Sequence, residues 1–263
     1  MKDGRMDNTI GQHVAFAQLI DAGSEPSRFI DRTLPYDRSL GPLRQSDPID
    51  ATSICFRWWP ASFTGALNCR VGKHVILVSE GAVSVQSGNE ETRTFRPGDV
   101  MELTQHDRQD HQARAAGGQP FLAAVIDLDG AYCDQTEAEL PRRSEQSLPY
   151  VRNVTGIDQR SHFEDGVLPY FVESDGSLVT QNFALTKFQY VYAAADLRYD
   201  FHNAPQRQIV IPLTGGTQGE NGDGSRRAIP PGGVYFGEDT TGEGHITSAV
   251  NNAIRFSIFA FLA

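Results

Sequence analysis

The sequence predicts an all-β protein built twice over, as two barrels or sandwiches in tandem. Three observations predict it: a self-similarity at a fixed offset, many short runs of strand-forming residues, and turn-forming clusters between those runs. The self-similarity places the run from Lys73 to Gly81 over the run from Arg207 to Gly215, an offset of 134 residues that holds without a gap for the next thirty. Gly81 falls on Gly215, Gly88 on Gly222, Arg93 on Arg227, Pro97 on Pro231, Gly98 on Gly232, Val100 on Val234 and His111 on His245. Most of these are residue types that constrain backbone or chemistry.

Taken in order, residues 1–45 read as an N-terminal arm, with a short helix from Val14 to Ile20 and a segment that crosses to the other domain. A first barrel spans 46–132. Its strands are the run from Ile54 to Trp59, then Val75 to Val78, Val83 to Gln86, Thr92 to Phe95 and Phe121 to Leu128. Ser87-Gly88-Asn89 and Arg96-Pro97-Gly98-Asp99 supply turns. Residues 133–168 are polar and charged, hold two prolines between Asp134 and Asp165, and read as a linker with one helical turn. A second barrel spans 169–263, from the aromatic-rich run Leu185 to Tyr192 to the apolar run Phe256 to Leu262. Its turns are Asn221-Gly222-Asp223-Gly224 and Pro230-Pro231-Gly232-Gly233. Of the consecutive Trp58 and Trp59, one should pack in the core and the other cover the seam between domains.

Composition narrows the function. Lys+Arg number 23 and Asp+Glu 33, a formal net charge of −10 that argues against a nucleic-acid partner, because a phosphate backbone wants a basic face. The apolar run at the C-terminus is far short of the roughly 20 residues a membrane helix needs, so no membrane partner is expected. Three cysteines, Cys55, Cys69 and Cys133, have no C-x-x-C spacing and read as thiols in a reducing compartment; with no secretory apolar segment at the start, the expected location is cytoplasmic. A small-molecule ligand is the expected partner.

Two strings carry a family resemblance. Phe201-His202-Asn203-Ala204-Pro205-Gln206-Arg207-Gln208 leads into Gly215. Glu238-Asp239-Thr240-Thr241-Gly242-Glu243-Gly244-His245 follows the Pro231-Gly232 turn. Together they resemble the cupin superfamily, in a subgroup with H-x-A-P-x-R-Q and D-T-T-G-x-G-H strings, and the chain resembles a bicupin over roughly 50–130 and 185–263. The resemblance implies two jelly-roll (double-stranded β-helix) barrels related by a pseudo-twofold axis. It admits a homodimer, since cupins commonly pair through sheet edges.

The same resemblance implies a divalent transition metal (Fe, Mn, Ni or Zn) held by histidines and a carboxylate. In the second copy the matching positions are His202, Gln208 and His245, with the amide of Gln208 where the family has glutamate. Asp239, six residues before His245, would anchor that histidine or act as a general base. In the first copy His74 and His111 hold the glutamate and second-motif histidine positions, and His106 would join them from the adjacent loop. Arg207, beside Gln208, should face away and pair with an acidic neighbour. The functional expectation is metal-dependent isomerase or dioxygenase chemistry on a small polar, anionic metabolite in the second barrel. The alternative is a non-catalytic ligand-binding or regulatory bicupin that has lost its metal sites.

Overall fold

A computed structural model describes residues 12–20, 25–67, 72–105, 110–130 and 142–263. His106, Cys69 and Cys133 lie outside the described residues. The first half runs β1 (His13–Ile20), β2 (Arg28–Pro35), β3 (Arg38–Leu40), β4 (Leu43–Gln45), β5 (Ile49–Asp50), β6 (Ser53–Trp59), β7 (Thr64–Gly65), β8 (Gly72–Glu80), β9 (Val83–Gln86), β10 (Thr92–Phe95), β11 (Val100–Gln105), β12 (Gln112–Ala115) and β13 (Phe121–Asp127). The second runs β14 (Arg143–Thr155), β15 (Ser161–Val172), β16 (Leu178–Val179), β17 (Phe183–Ala193), β18 (Arg198–His202), β19 (Gln208–Thr214), β20 (Thr217–Asn221), β21 (Arg226–Ile229), β22 (Val234–Glu238), β23 (His245–Ala249) and β24 (Arg255–Leu262). The protein is all-β, as the sequence predicts. Among the described residues no helix is long and apolar enough to cross a membrane.

Each half is a jelly-roll barrel made of two facing sheets. In the first half the order β2-β1-β11-β8-β13-β6 faces β10-β9-β12-β7; in the second, β15-β14-β22-β19-β24-β17 faces β21-β20-β23-β18. The larger sheets are continuous, joined through β16 to β6 and by direct pairing of β6 with β17.

The register extends the 134-residue offset over almost the whole chain. Ala17 pairs in parallel with Met101, and Val151 with Tyr235. His74 pairs with Asp127, and Gln208 with Phe261; Phe121 pairs with Trp59, and Arg255 with Ala193. Two sequence expectations are corrected by this. Val14–Ile20 is strand, not helix, because it is sandwiched between β2 and β11 with Val14, Ala17 and Leu19 buried. The segment read as a 133–168 linker holds the long hairpin β14–β15, the second half's counterpart of β1–β2. Likewise β1 and β2 belong to the first barrel's own sheet.

The hairpin β3–β4 crosses over to pair with β17, at Val191–Gln45 and Tyr192–Arg44, and β5 follows it onto the same strand, at Lys187–Asp50 and Phe188–Ile49. In turn β16 returns the exchange on β6, at Arg57–Val179 and Trp58–Leu178. The Pro-Gly turns behind the repeat are reciprocal too. Gly232 (φ +79°) lies where an added Cβ would sit 2.7 Å from the Ser79 carbonyl oxygen, while Gly98 abuts Thr214 and Leu213. Those turns need glycine both for the left-handed backbone and for the close approach of the opposite barrel.

Strand alternation divides the core into layers. Val75 and Leu77 of β8 and Ile209, Ile211 and Leu213 of β19 point into one apolar core between the barrels, with Trp58 packed against it. The opposite faces point into the barrels. In the first barrel, Ile76 and Val78 join Trp59, Phe63, Met101, Leu103 and Phe121 in a continuous apolar filling. In the second barrel the interior is broken into two small groups, one around Leu43, Val191 and Ala193, the other around Val210, Ile229 and Tyr235. A cavity lies there instead.

Candidate functional site

The contrast between the interiors comes from a few substitutions at equivalent register positions. In the first barrel Trp59 stacks on Phe121, ring centroids 4.6 Å apart and planes 10° from parallel, and Phe63 packs against both. The second barrel has Ala193 and Arg255 in those two places. Two stacked aromatic rings are thus replaced by a methyl group and a guanidinium, which leaves a cavity of about 50 Å³. That is room for a few waters or a small ligand.

His202, Gln208 and His245 all line this cavity, so the structure brings together the three residues that the sequence singles out in the second copy. His202 ends β18 and faces His245, the first residue of β23, with ring centroids 4.6 Å apart. The glycine before His245 makes the approach feasible: a Cβ on Gly244 (φ +77°) would meet the His202 carbonyl oxygen at 2.4 Å.

Both imidazoles have their tautomers set by their neighbours. His245 Nδ1 donates to Asp239 Oδ2 at 2.6 Å, and that buried oxygen also accepts from Ser161 Oγ at 2.8 Å and Asn153 Nδ2 at 3.2 Å. His202 Nδ1 lies 2.7 Å from the Asp200 carbonyl oxygen, which can only accept. In each ring the proton therefore sits on Nδ1, and the Nε2 lone pair is left free. Burial, and then the neighbouring His245, push the His202 pKa down to about 4, so this ring is neutral at physiological pH. Tyr199 stacks on its other face at 3.8 Å.

Asp239 is fully buried behind His245 and does not line the cavity. It reaches the cavity only through His245, on whose Nδ1 its carboxylate is held. Gln208, 5% exposed, has its carbonyl Oε1 buried without a hydrogen-bond partner among the described residues. Arg207 turns away as expected and donates to Glu238, which also accepts from Arg152.

The first-copy histidines are differently placed. His74 is buried with its Nδ1 3.8 Å from Asp127, and His111 Nε2 accepts the Leu67 backbone N–H at 3.3 Å. The lone pair that a metal would need on His111 is therefore already engaged. Among the described residues no three His, Cys, Asp or Glu side chains converge on one point. In the second barrel the donors that fit a divalent ion are the two Nε2 lone pairs and the orphaned Gln208 Oε1, a neutral set without a carboxylate.

Sequence reasoning missed Arg255. It is 3% exposed and lines the cavity, and among the described residues no acidic side chain does. The available signal was that Arg255 is the sole charged residue of the apolar strand β24 and falls on Phe121 at the repeat offset.

No family model matches the chain, and no curated protein does. Among solved structures it is similar to a cupin 2 conserved barrel domain protein from Leptotrichia buccalis, at 12% identity over 86% of this chain and 91% of that one, with a TM-score of 0.44. A protein of unknown function of the DUF861 family from Pseudomonas syringae pv. tomato gives 11%, 95% and 99%, with a TM-score of 0.37. An oxalate decarboxylase from Bacillus subtilis gives 10%, 86% and 74%, with a TM-score of 0.32. Likeness at this level says nothing of chemistry.

Proposed function

We propose that the second barrel is the working half, an isomerase-type site for a small polar, anionic metabolite, with the first barrel as its scaffold. The observation that carries this reading is the pair of imidazoles, each with its Nδ1 proton fixed and its Nε2 lone pair free, lining one cavity. Asp239 stabilises positive charge on His245, which suits that ring to accept a proton from a bound ligand. His202, held neutral, accepts a hydrogen bond from a ligand hydroxyl or enol. A divalent ion, if bound, would be held by His202, Gln208 and His245, and would replace the histidines' proton-accepting role with Lewis-acid polarisation of a ligand oxygen.

The test is proton exchange. Small 2-oxo acids such as pyruvate and 2-oxobutyrate, incubated with the protein in D2O, should lose their C3 proton signals faster than in buffer. His245→Gln should abolish the acceleration, and Asp239→Asn should reduce it about 100-fold or more by favouring the wrong tautomer. Elemental analysis of protein purified without chelator reads the metal separately. Exchange no faster than in buffer would remove the isomerase reading. The second reading, ligand binding without turnover, is favoured by the lack of any acidic side chain in the cavity lining. It expects saturable binding with no exchange.

A further inference from the structure

The cavity holds one buried group that the proton-transfer reading does not use. Arg255 opens β24 at the position where the first barrel has Phe121. Its Nη1 donates to Thr217 Oγ1 and to the Ser248 carbonyl oxygen, both at 3.2 Å, which fixes the plane of the guanidinium. Its Nε and Nη2 are buried with no hydrogen-bond partner among the described residues. Those two nitrogens form one edge of the guanidinium. Their N–H bonds run parallel, spaced to meet the two oxygens of one carboxylate. A buried cation with its two-pronged edge unmet is expensive unless something supplies the matching anion.

We infer that Arg255 makes the second-barrel cavity a receptor for a small monocarboxylate, bound side-on through Nε and Nη2. The walls decide the rest of the ligand. Val191, Ala193, Val210 and Phe259 line the cavity beside the histidines, so the carboxylate carries a short apolar or carbonyl-bearing chain. A single positive charge and a volume of about 50 Å³ suit a monoanion of a few heavy atoms. A dianion such as phosphate would leave charge uncompensated in the apolar interior. This deepens the reading of the second barrel as a ligand site and rests on it.

The test uses matched probes on the full chain. Propionate and pyruvate are titrated by calorimetry against propionamide and pyruvamide, which keep the shape and lose the charge, and against inorganic phosphate. Both carboxylates should bind saturably and at least about tenfold more tightly than their amides. Arg255→Gln should weaken carboxylate binding about tenfold or more. Arg255→Lys, which keeps the charge and loses the fork, should fall between, and Arg226→Gln, which removes an exposed guanidinium outside the cavity, should stay within about threefold of the wild type. Should Arg255→Gln not fold, the carboxylate–amide comparison on the wild type still decides.

Amides binding as tightly as acids, carboxylate binding indifferent to Arg255, a preference for phosphate, or no saturable binding up to about 50 mM would each overturn the inference. Amide binding that depends on His245 and not on Arg255 leaves the imidazole site standing without the carboxylate. Arg255-dependent binding with no proton exchange does the reverse.

Discussion

Replacing Arg255 with methionine should make the ligand-free protein more stable, although it removes a buried, hydrogen-bonded side chain. Burial lowers the guanidinium pKa well below its ordinary value, to about 10. At about 1.4 kcal/mol per pH unit, the charged form is disfavoured in the fold by about 3 kcal/mol. Against this stand the hydrogen bonds to Thr217 Oγ1 and the Ser248 carbonyl, about 1 kcal/mol each. Methionine is unbranched and adaptable enough to occupy the same channel. The balance is a gain of about 1 kcal/mol, or a Tm higher by about 2–4 °C in a chain of this size.

The sign with pH follows from linkage. Below about pH 10 both folded and unfolded chains carry the proton, so the cost is fully present. It fades only above about pH 10, where the folded protein deprotonates first. The gain should therefore be flat between about pH 6 and 9. Differential scanning calorimetry in a chloride buffer free of carboxylates measures it. With propionate present the order should reverse, because only the wild type binds it. A Tm for Arg255→Met below that of the wild type without ligand would refute the claim that this cation lacks a counter-charge.

Three further outcomes follow from the structure. The neutral His202, with a pKa of about 4 against an ordinary 6.5, supports folding fully above about pH 6.5, and that support drains away as pH falls toward 4. Urea midpoints across this range should show a loss of about 2 kcal/mol, allowing for the ring's partial exposure, that is smaller in His202→Asn; parallel slopes in the two proteins would contradict it. Phe121→Ala empties half of the aromatic stack in the first barrel and should cost about 3–5 kcal/mol by chemical denaturation; a cost under about 1 kcal/mol would mean that the filling is not structural. Gly232→Ala and Gly224→Ala share φ +79°, but only the first meets the opposite barrel. Thermal melts should give about 1 kcal/mol for Gly224 and about 2–3 kcal/mol for Gly232, and equal values would deny the contact at Ser79.

The duplication was legible because glycines, a proline and a histidine mark its turns and one site position, and those residue types resist replacement by others. The same marks placed His202, Gln208 and His245 around one interior, and strand alternation sent Arg207 outward to Glu238. The two hairpins β1–β2 and β14–β15 were not legible. Much of β2 is exposed and little of β14 is buried, so their apolar pattern is diluted, and their equivalence survives in register alone. That blindness extended to the site. Asn153 and Ser161, which hold the Asp239 carboxylate, lie on strands that read as a linker. Arg255 was invisible for a different reason. Nothing in a single apolar strand shows that its one cation lacks a partner; that takes the surrounding strands.

The hairpin exchange has a consequence for how the two copies can diverge. Leu40 and Leu43, from the amino-terminal copy, help wall the cavity in the carboxy-terminal one. Tryptophan and phenylalanine plug the amino-terminal chamber, yet the plugged copy still roofs its sibling. Neither gene half could be shed without unroofing the other, so what began as redundancy has become mutual dependence.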